Sequence, residues 1–450
     1  MEPFTGGKLF TFDQIVLGRE DLAAAPADGL YVMGRMPVPA CGALKMCDQR
    51  LHGFAFWWTK VETYVHFLLY SLAHRDPRKT HFIKLRNTPM LKTSGLLAML
   101  FLSSSFLSAL PKFASRLNLS CKSCHVNPTG GGLRNAFGVS YGQEDLPIPT
   151  WQEDFTLEEF STQLSDIISV GANFRTLYFY QQTSATTSRN SFFQMQSDLY
   201  LSARIAKKTA IYLNRGNGAR FEAFGIAGIL PMDGYVKAGW FIPNFGIKVD
   251  DHNIFTRDKT AFAFGGGHDA GVEVGFSPGV FDFTLGLMNG AAGDRDDNSF
   301  KSLLARGEAR VAISGINLRG GGSYYNNASP AGVRTYLGVH GIASVAGNLT
   351  ILGEFIQRRD FSNATRIKTH SNILYVEANY LIMQGVDAKV GYEFFDPDTK
   401  YTTGTESRIV VGLEFYPISG VELRPLYVFR KEQPIDVSDD QFIVMMHLYL

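Results

Sequence analysis

Two alternating runs joined by a tight turn, LYVEANYLIMQGVDAKVGYEF (residues 374–394), decide the fold class. Small or apolar side chains recur at every second position, and charged residues such as Asp387 and Lys389 fall between them. A period of two places alternate side chains on opposite faces of an extended strand, so each run has one apolar and one polar face. Gln384-Gly385 supplies the turn, and the stretch therefore predicts an antiparallel hairpin.

The same alternation continues through residues 161–450. In one further run Phe193 and Leu199 fall on the apolar face and Gln196 falls on the polar face. We count roughly 14 to 16 strands of about ten residues each, the length of a tilted strand that crosses a bilayer. Short turns alternate with longer polar loops, such as 326–331, which is typical of membrane barrels.

A soluble β-sandwich or propeller is the alternative architecture, because alternation alone does not say which face points outward. Three features favour a membrane barrel: an export signal ahead of the strands, an uninterrupted meander, and charged residues that recur in mid-strand on one face. In a barrel of this size the charged face lines a wet lumen. No repeat of blade length is present, which disfavours a propeller.

Ahead of the strands lies the sequence CKSCH (residues 121–125), the attachment motif of a c-type haem. Cys121 and Cys124 can each add across one vinyl group of the porphyrin, and His125 then ligates the iron. A redox dithiol would need a βαβ context, and a zinc site would need a second ligand pair. The surrounding sequence supplies neither, so we predict covalent haem c with His125 as the proximal ligand.

Residues 126–138, with Asn-Pro and a glycine triplet, predict an irregular loop after this motif. A carbonyl near Pro128 is expected to accept the Nδ1 proton of His125. Two interpretations of Arg134 stay open, a partner of a haem propionate or a solvated side chain. No Lys-Ser/Thr pair follows the triplet, which excludes a phosphate-binding P-loop.

The predicted fold is therefore all-β, a transmembrane antiparallel barrel with a short irregular N-terminal c-type haem segment. The haem segment spans residues 111–160 and the barrel spans residues 161–450. An independent cytochrome domain needs roughly twice as many residues as this segment has, so the haem must rest on the remainder of the chain.

The first 110 residues predict two regions outside the mature protein. Residues 90–110 begin with Met-Leu-Lys, continue with an apolar core of about 15 residues, and contain small residues near the end, as secretory signal peptides do. Signal peptides start a chain, so we interpret residues 1–89 as an overextended reading frame or an unstructured stretch. A genuine N-terminal domain is the alternative.

The longest predicted loop, residues 244–259, is rich in charges and is expected to fold into the lumen. Its His252 is the first candidate for the second, distal ligand of the haem iron, against a plain loop histidine bonded to an acid. Three further residues share the ability to ligate iron: His268, Met195 and Met232.

Composition narrows the function further. The 43 basic and 42 acidic residues give a net charge of +1, so no general affinity for polyanions is implied. No nucleic-acid motif, nucleotide loop or Ser-His-Asp arrangement is present. Nothing in the sequence forms a distal acid–base set, so an enzyme such as a peroxidase is not predicted.

Residues 111–138, followed by a β-rich remainder, resemble porin-like outer-membrane proteins of Gram-negative bacteria that carry one c-type haem near the mature N-terminus. The resemblance extends over residues 90–450. It implies an outer-membrane location, with the haem segment on the periplasmic side or in the barrel lumen. It also implies electron transfer with partner cytochromes.

Two functions follow from these expectations. The first is a haem-bearing barrel that transfers electrons at or across the outer membrane, with a periplasmic or outer-membrane cytochrome as partner. The second is a passive porin for small solutes, in which the haem segment acts as a plug or redox gate. Both place the protein in outer-membrane lipid, and neither involves nucleic acid.

Overall fold

The computed structural model describes residues 111–152, 161–183, 187–217, 221–263, 266–291, 296, 298–437 and 439–450. The predicted signal peptide (90–110) and the stretch ahead of it (1–89) lie outside the described residues, as does 153–160 of the predicted haem segment. Among the described residues, no helix has the length and apolar character needed to cross a membrane.

Antiparallel strands form one closed barrel, in which each strand pairs with its neighbours in sequence and the first pairs with the last. In the described residues the strands number sixteen: β1 Ile168–Gln182, β2 Ser188–Ala206, β3 Thr209–Arg215, β4 Phe221–Leu230, β5 Gly234–Phe241, β6 Asp269–Phe276, β7 Phe281–Met288, β8 Ser302–Ile313, β9 Ile316–Ser329, β10 Gly332–Val345, β11 Leu349–Ser362, β12 Lys368–Met383, β13 Val386–Asp396, β14 Glu406–Phe415, β15 Val421–Glu432 and β16 Gln441–Tyr449. This confirms the predicted all-β barrel, at the upper end of the expected strand number.

Short helices also occur in the described residues, and they are not part of the barrel wall. They are α1 Pro111–Arg116, a 3₁₀ turn Cys121–Ser123, α2 Ala136–Ser140 continued by a π turn Tyr141–Asp145, α3 Pro149–Gln152 and α4 Phe255–Asp258. All of them except α4 precede the first strand and lie within residues 111–152, which we call the lumenal segment. The last lies in the connection between β5 and β6, residues 242–268, which we call the inward loop.

Connections alternate in length around the barrel, so the two mouths differ. One mouth carries tight turns such as 314–315 and 384–385, and the other carries longer loops such as 397–405. The predicted loop 326–331 is an exception, because β9 continues to Ser329 and a tight turn follows. Cross-strand pairing of Asn326 with Thr335 extends the ladder through this polar stretch.

Each strand presents one face to the lumen and one outward. In β13 the charged residues Asp387, Lys389 and Glu393 are buried inside, as their period predicted. In β7 the outward Leu285 and Leu287 are each 54% exposed. The polar face therefore points inward, and the apolar face covers the outside of the barrel.

One strand departs from simple alternation. The register between β1 and β2 shifts at Arg175, which pairs with Gln196, whereas Leu177 pairs with Phe193. Arg175 and Leu177 lie on one face, so Phe193 and Gln196 share a face although an odd number of positions separates them. The prediction that put them on opposite faces was wrong, because a β-bulge adds one unpaired residue between them.

Candidate functional site in the barrel lumen

The lumenal segment is held inside the barrel, at the short-turn mouth, by buried ion pairs from α1. Arg116 donates two hydrogen bonds to Asp387, of 2.6 and 3.1 Å, and Lys112 pairs with Glu414. The Nδ2 of Asn317 donates to the carbonyl of Arg116 at 2.9 Å. Barrel-wall residues therefore anchor the chain immediately before the candidate motif.

The CKSCH turn begins about one helical turn after this anchor. The backbone N–H groups of Cys124 and His125 both donate to the carbonyl of Cys121, each at 3.3 Å. This tight turn keeps Cys121 and Cys124 close together. Within the described residues neither cysteine forms a disulfide. Burial raises the pKa of Cys124 to about 12, unlike the lowered pKa of a reactive redox dithiol.

Glycines let the following loop approach this turn and the wall. Gly132 has a φ of +68°, and a Cβ there would lie 1.9 Å from the hydroxyl of Tyr212. A Cβ at Gly138 would lie 2.3 Å from the carbonyl oxygen of Cys124. Larger residues would push the loop away from both contacts, so the glycine-rich composition is a packing requirement of the site.

The predicted site residues meet at one cavity. The space between them is about 1320 Å³, a figure that includes the open mouth of the cavity. Every residue that the sequence assigned to haem binding lines it: Cys121, Cys124, His125, Arg134 and His252. Residues far apart in the chain therefore face a single space.

The chemistry of His125 fits an iron ligand. Burial and the nearby charge of Arg134 lower the pKa of His125 to about 3, so its imidazole is neutral. The backbone of Gly132 and Leu133 lies beside the ring. The hydrogen bond expected from Nδ1 to a carbonyl near Pro128 is not formed, because the buried Nδ1 has no hydrogen-bond partner among the described residues. With two neighbouring thiols, this donor set fits a c-type haem.

Arg134 has no carboxylate partner among the ion pairs of the described residues. Its guanidinium lies 4.6 Å from the centroid of the Tyr449 ring, and its Nη1 is 3.5 Å from both Asn173 Oδ1 and the carbonyl oxygen of Leu450. The side chain is thus held by neutral groups at the cavity wall. A propionate partner for Arg134 stays a prediction.

The candidates for the second iron ligand differ in whether they line the cavity. His252 and His268 both line the cavity, whereas Met195 and Met232 do not. Met232 is 57% exposed in the turn between β4 and β5, which places it outside the site. Methionine ligation by either of these two residues is therefore not supported by their positions.

Sequence reasoning missed His447, which also lines the cavity. It lies on the lumenal face of β16, two positions before Tyr449, and is 4% exposed. Its Nδ1 lies 2.9 Å from Glu422 Oε2. The signal in the sequence was a histidine on the polar face of the last strand. That signal did not indicate the haem site, because only barrel closure brings this strand to the cavity that the CKSCH turn lines.

The inward loop closes the other side of the cavity, as the sequence predicted for its charged residues. Asp250 accepts hydrogen bonds from both Arg175 and Arg424, each at 2.9 Å. Lys248 Nζ donates to Thr129 Oγ1 at 3.0 Å, which joins the loop directly to the lumenal segment. The two segments enter the lumen separately and contact each other inside it.

Neither a protein-family model nor a curated protein sequence matches the chain. Among solved structures, the chain is similar to the outer-membrane protein OmpT of Vibrio cholerae, with 12% identity, a TM-score of 0.47, and coverage of 64% of this chain and 100% of that one. It is similar to an anion-selective porin of Comamonas acidovorans, with 12% identity, a TM-score of 0.46 and coverage of 63% and 99%. The channel DcaP of Acinetobacter baumannii gives 13% identity, a TM-score of 0.46 and coverage of 63% and 97%.

Proposed function

We propose that this protein is an outer-membrane barrel with one covalent c-type haem in its lumen, and that it transfers electrons at or across the membrane. The observation that carries the proposal is the convergence of Cys121, Cys124 and His125 on one lumenal cavity. A haem supplies reversible one-electron exchange between iron(III) and iron(II). The two thiols would hold it covalently, and His125 would ligate its iron.

The outer surface of the wall supports a membrane location. Outward positions in mid-strand are apolar, as at Leu285 and Val390. Aromatic side chains are exposed near both rims, with Phe281 and Tyr380 beside short turns and Phe442 beside a long loop. An apolar band between aromatic girdles is the surface that a bilayer favours.

The difference between the two mouths suggests on which side of the membrane the haem lies. Short turns face the periplasm in outer-membrane barrels, and the lumenal segment docks among those turns. Gln384 Nε2, for example, donates to the carbonyl of Glu144 at 2.9 Å. We therefore place the haem near the periplasmic mouth, where a small periplasmic cytochrome would dock and exchange electrons with it.

Co-expression with a haem-attachment system tests the proposal. Detergent-solubilised membranes should contain a protein band that retains haem after denaturation and gives a pyridine haemochrome spectrum of the c type. Cys121→Ser with Cys124→Ser should abolish that band. The matched control is Lys122→Ala, which changes a spacer residue whose ion pair goes to the exposed Asp233. A colourless wild-type protein, or one recovered without detergent, would refute the proposal.

Electron transfer itself is measured by mixing the oxidised, detergent-solubilised protein with a reduced soluble cytochrome and following the absorption of the haem. We expect the wild-type haem to be reduced, whereas the double serine variant should leave the cytochrome in its reduced state. A wild-type haem that stays oxidised would show that it does not accept electrons from such a partner.

A passive pore is the alternative, favoured by the polar lumen that the wall encloses. Because the lumenal segment and the inward loop occupy that lumen, we expect slow sugar uptake by liposomes that contain the full chain. A variant that begins at residue 161 should admit sugar much faster if the segment acts as a plug. Fast uptake by the full chain, whatever the oxidation state of the haem, would favour simple diffusion.

A further inference from the structure

The side chain of His447 has one satisfied and one unsatisfied ring nitrogen. Nδ1 lies 2.9 Å from Glu422 Oε2, whereas Nε2 is buried and finds no hydrogen-bond partner in the described part of the chain. The residue is 4% exposed and lines the same cavity as His125. A buried nitrogen without a partner is costly unless a ligand satisfies it.

The surroundings of Glu422 define which nitrogen carries the proton. Arg424 donates to Glu422 Oε1 at 2.8 Å from Nε, and its Nη2 lies 2.6 Å from the same oxygen. The paired carboxylate then accepts the Nδ1 proton of His447, which leaves the lone pair on Nε2. A carboxylate behind the far nitrogen of a histidine is the arrangement that orients metal-ligating imidazoles.

A free cation bound by His447, Glu422 and Asp250 is the competing explanation, because these groups can offer atoms within 4.8 Å of one another. Both carboxylates are already occupied by guanidinium groups. Asp250 is bonded by Arg175 and Arg424, and Glu422 by Arg424. Two arginines beside the cluster repel a cation, so the orphaned nitrogen calls for a different partner.

Packing links His447 to the CKSCH turn through Tyr449. Its ring centroid is 5.2 Å from that of Tyr449, and Tyr449 belongs to the buried cluster that contains Cys124. The residue lies on a barrel strand and not on a loop, and strands hold ligating groups more rigidly. His252, by contrast, belongs to the inward loop.

We propose that His447 is the distal ligand of the haem iron through Nε2, and that Glu422 is the residue that positions it. This inference rests on the proposed covalent haem, because it assigns the iron the partner that Nε2 lacks. Ligation by two histidines gives a six-coordinate, low-spin iron. His447 therefore replaces His252 as the preferred distal ligand.

The test compares histidine variants of the purified holoprotein by visible absorption and electron paramagnetic resonance. Wild-type protein should be low-spin, and His447→Ala should convert to high-spin iron that binds carbon monoxide when reduced. Added imidazole should restore the low-spin spectrum. The matched control is His340→Ala, because His340 is also buried on the wall and paired with Glu308, but does not line the cavity.

Two further variants keep the test decisive if His447→Ala folds poorly. His447→Met should give the spectrum of histidine–methionine ligation and a higher midpoint potential than the wild type. Glu422→Gln should stay low-spin yet raise the midpoint potential, since a neutral partner lowers the basicity of the ligand. A merely structural role for Glu422 would leave the potential of the folded protein unchanged.

Several outcomes would overturn the inference while leaving the haem in place. They are a high-spin wild type, a low-spin His447→Ala protein without added imidazole, or conversion to high spin in His252→Ala or His268→Ala alone. These outcomes differ from failure of the haem proposal itself, because a wild-type protein without covalent haem would give no haem band at all.

Discussion

At the scale of single residues, Gly138 shows how tightly the candidate site is packed. A Cβ there would meet the carbonyl oxygen of Cys124 at 2.3 Å and the Cβ of Cys124 at 2.9 Å. The N-cap of α2 strengthens the same contact, since Asn135 Oδ1 accepts the N–H of Gly138 at 3.0 Å. The CKSCH turn and α2 are therefore packed closely against each other.

Gly138→Ala should consequently displace the turn and destabilise the lumenal segment by about 1–3 kcal/mol, the usual effect of overpacking. The measurements are haem yield and the temperature at which the folded barrel loses its fast migration on a gel. Gly225→Ala is the control, because an added Cβ there meets no described atom within 4 Å. Equal losses in the two variants would contradict the packing argument.

At the scale of elements, the inward loop is anchored by charge. Burial opposes ionisation of Asp250, but Arg424 and Arg175 outweigh it and hold the pKa of Asp250 well below its ordinary value. Both arginines are themselves buried. Asp250 thus ties the loop to β1 and β15 at once, and these strands flank β16 on either side.

Asp250→Asn should loosen this anchor by roughly 3–5 kcal/mol, because it leaves two buried cations with less compensation. We expect faster proteolysis of the loop and a lower melting temperature. Asp258→Asn is the control, since that side chain is half-exposed and pairs with its neighbour Lys259. Unchanged protease resistance in Asp250→Asn would contradict the role of this residue.

The pH dependence of stability follows from the lowered pKa of Asp250. A carboxyl with a lowered folded-state pKa stabilises the fold above its unfolded pKa of about 4, and that contribution is lost as pH falls towards the folded value. The melting-temperature difference between wild type and Asp250→Asn should therefore stay constant from about pH 8 to 5 and shrink below about pH 4.

At the scale of the whole molecule, the barrel is polar inside and apolar outside. Leu285 lies in the middle of β7 with its side chain outward and 54% exposed. In water such a position would tolerate a charge well. In a bilayer, an arginine near the midplane costs roughly 2–4 kcal/mol.

Leu285→Arg should therefore reduce barrel assembly in membranes, whereas Leu285→Phe should not. The fraction of folded protein in outer-membrane extracts measures both. Full assembly of the arginine variant, or its recovery without detergent, would contradict a lipid-facing outer surface.

Most of what could be predicted from the sequence alone came from its periodicity and from one short motif. Alternation along β12 and β13 is a property of neighbouring residues, so the lumen-facing Glu377 and Lys389 were predictable. The bulge that reverses Phe193 was not, because it depends on how β2 pairs with β1. The CKSCH motif was likewise predictable, because its two thiols and its imidazole lie within five adjacent positions.

The sequence by itself determined most of the strands, the polar face of most of them and the residues that we propose hold a haem. Only the tertiary structure decided which distant groups join them at the cavity. Barrel closure pairs β1 with β16 and brings His447 beside a motif from the other end of the chain. The physical reason is that a strand's period follows from local geometry, whereas a cavity wall depends on register and closure between strands that are remote in sequence.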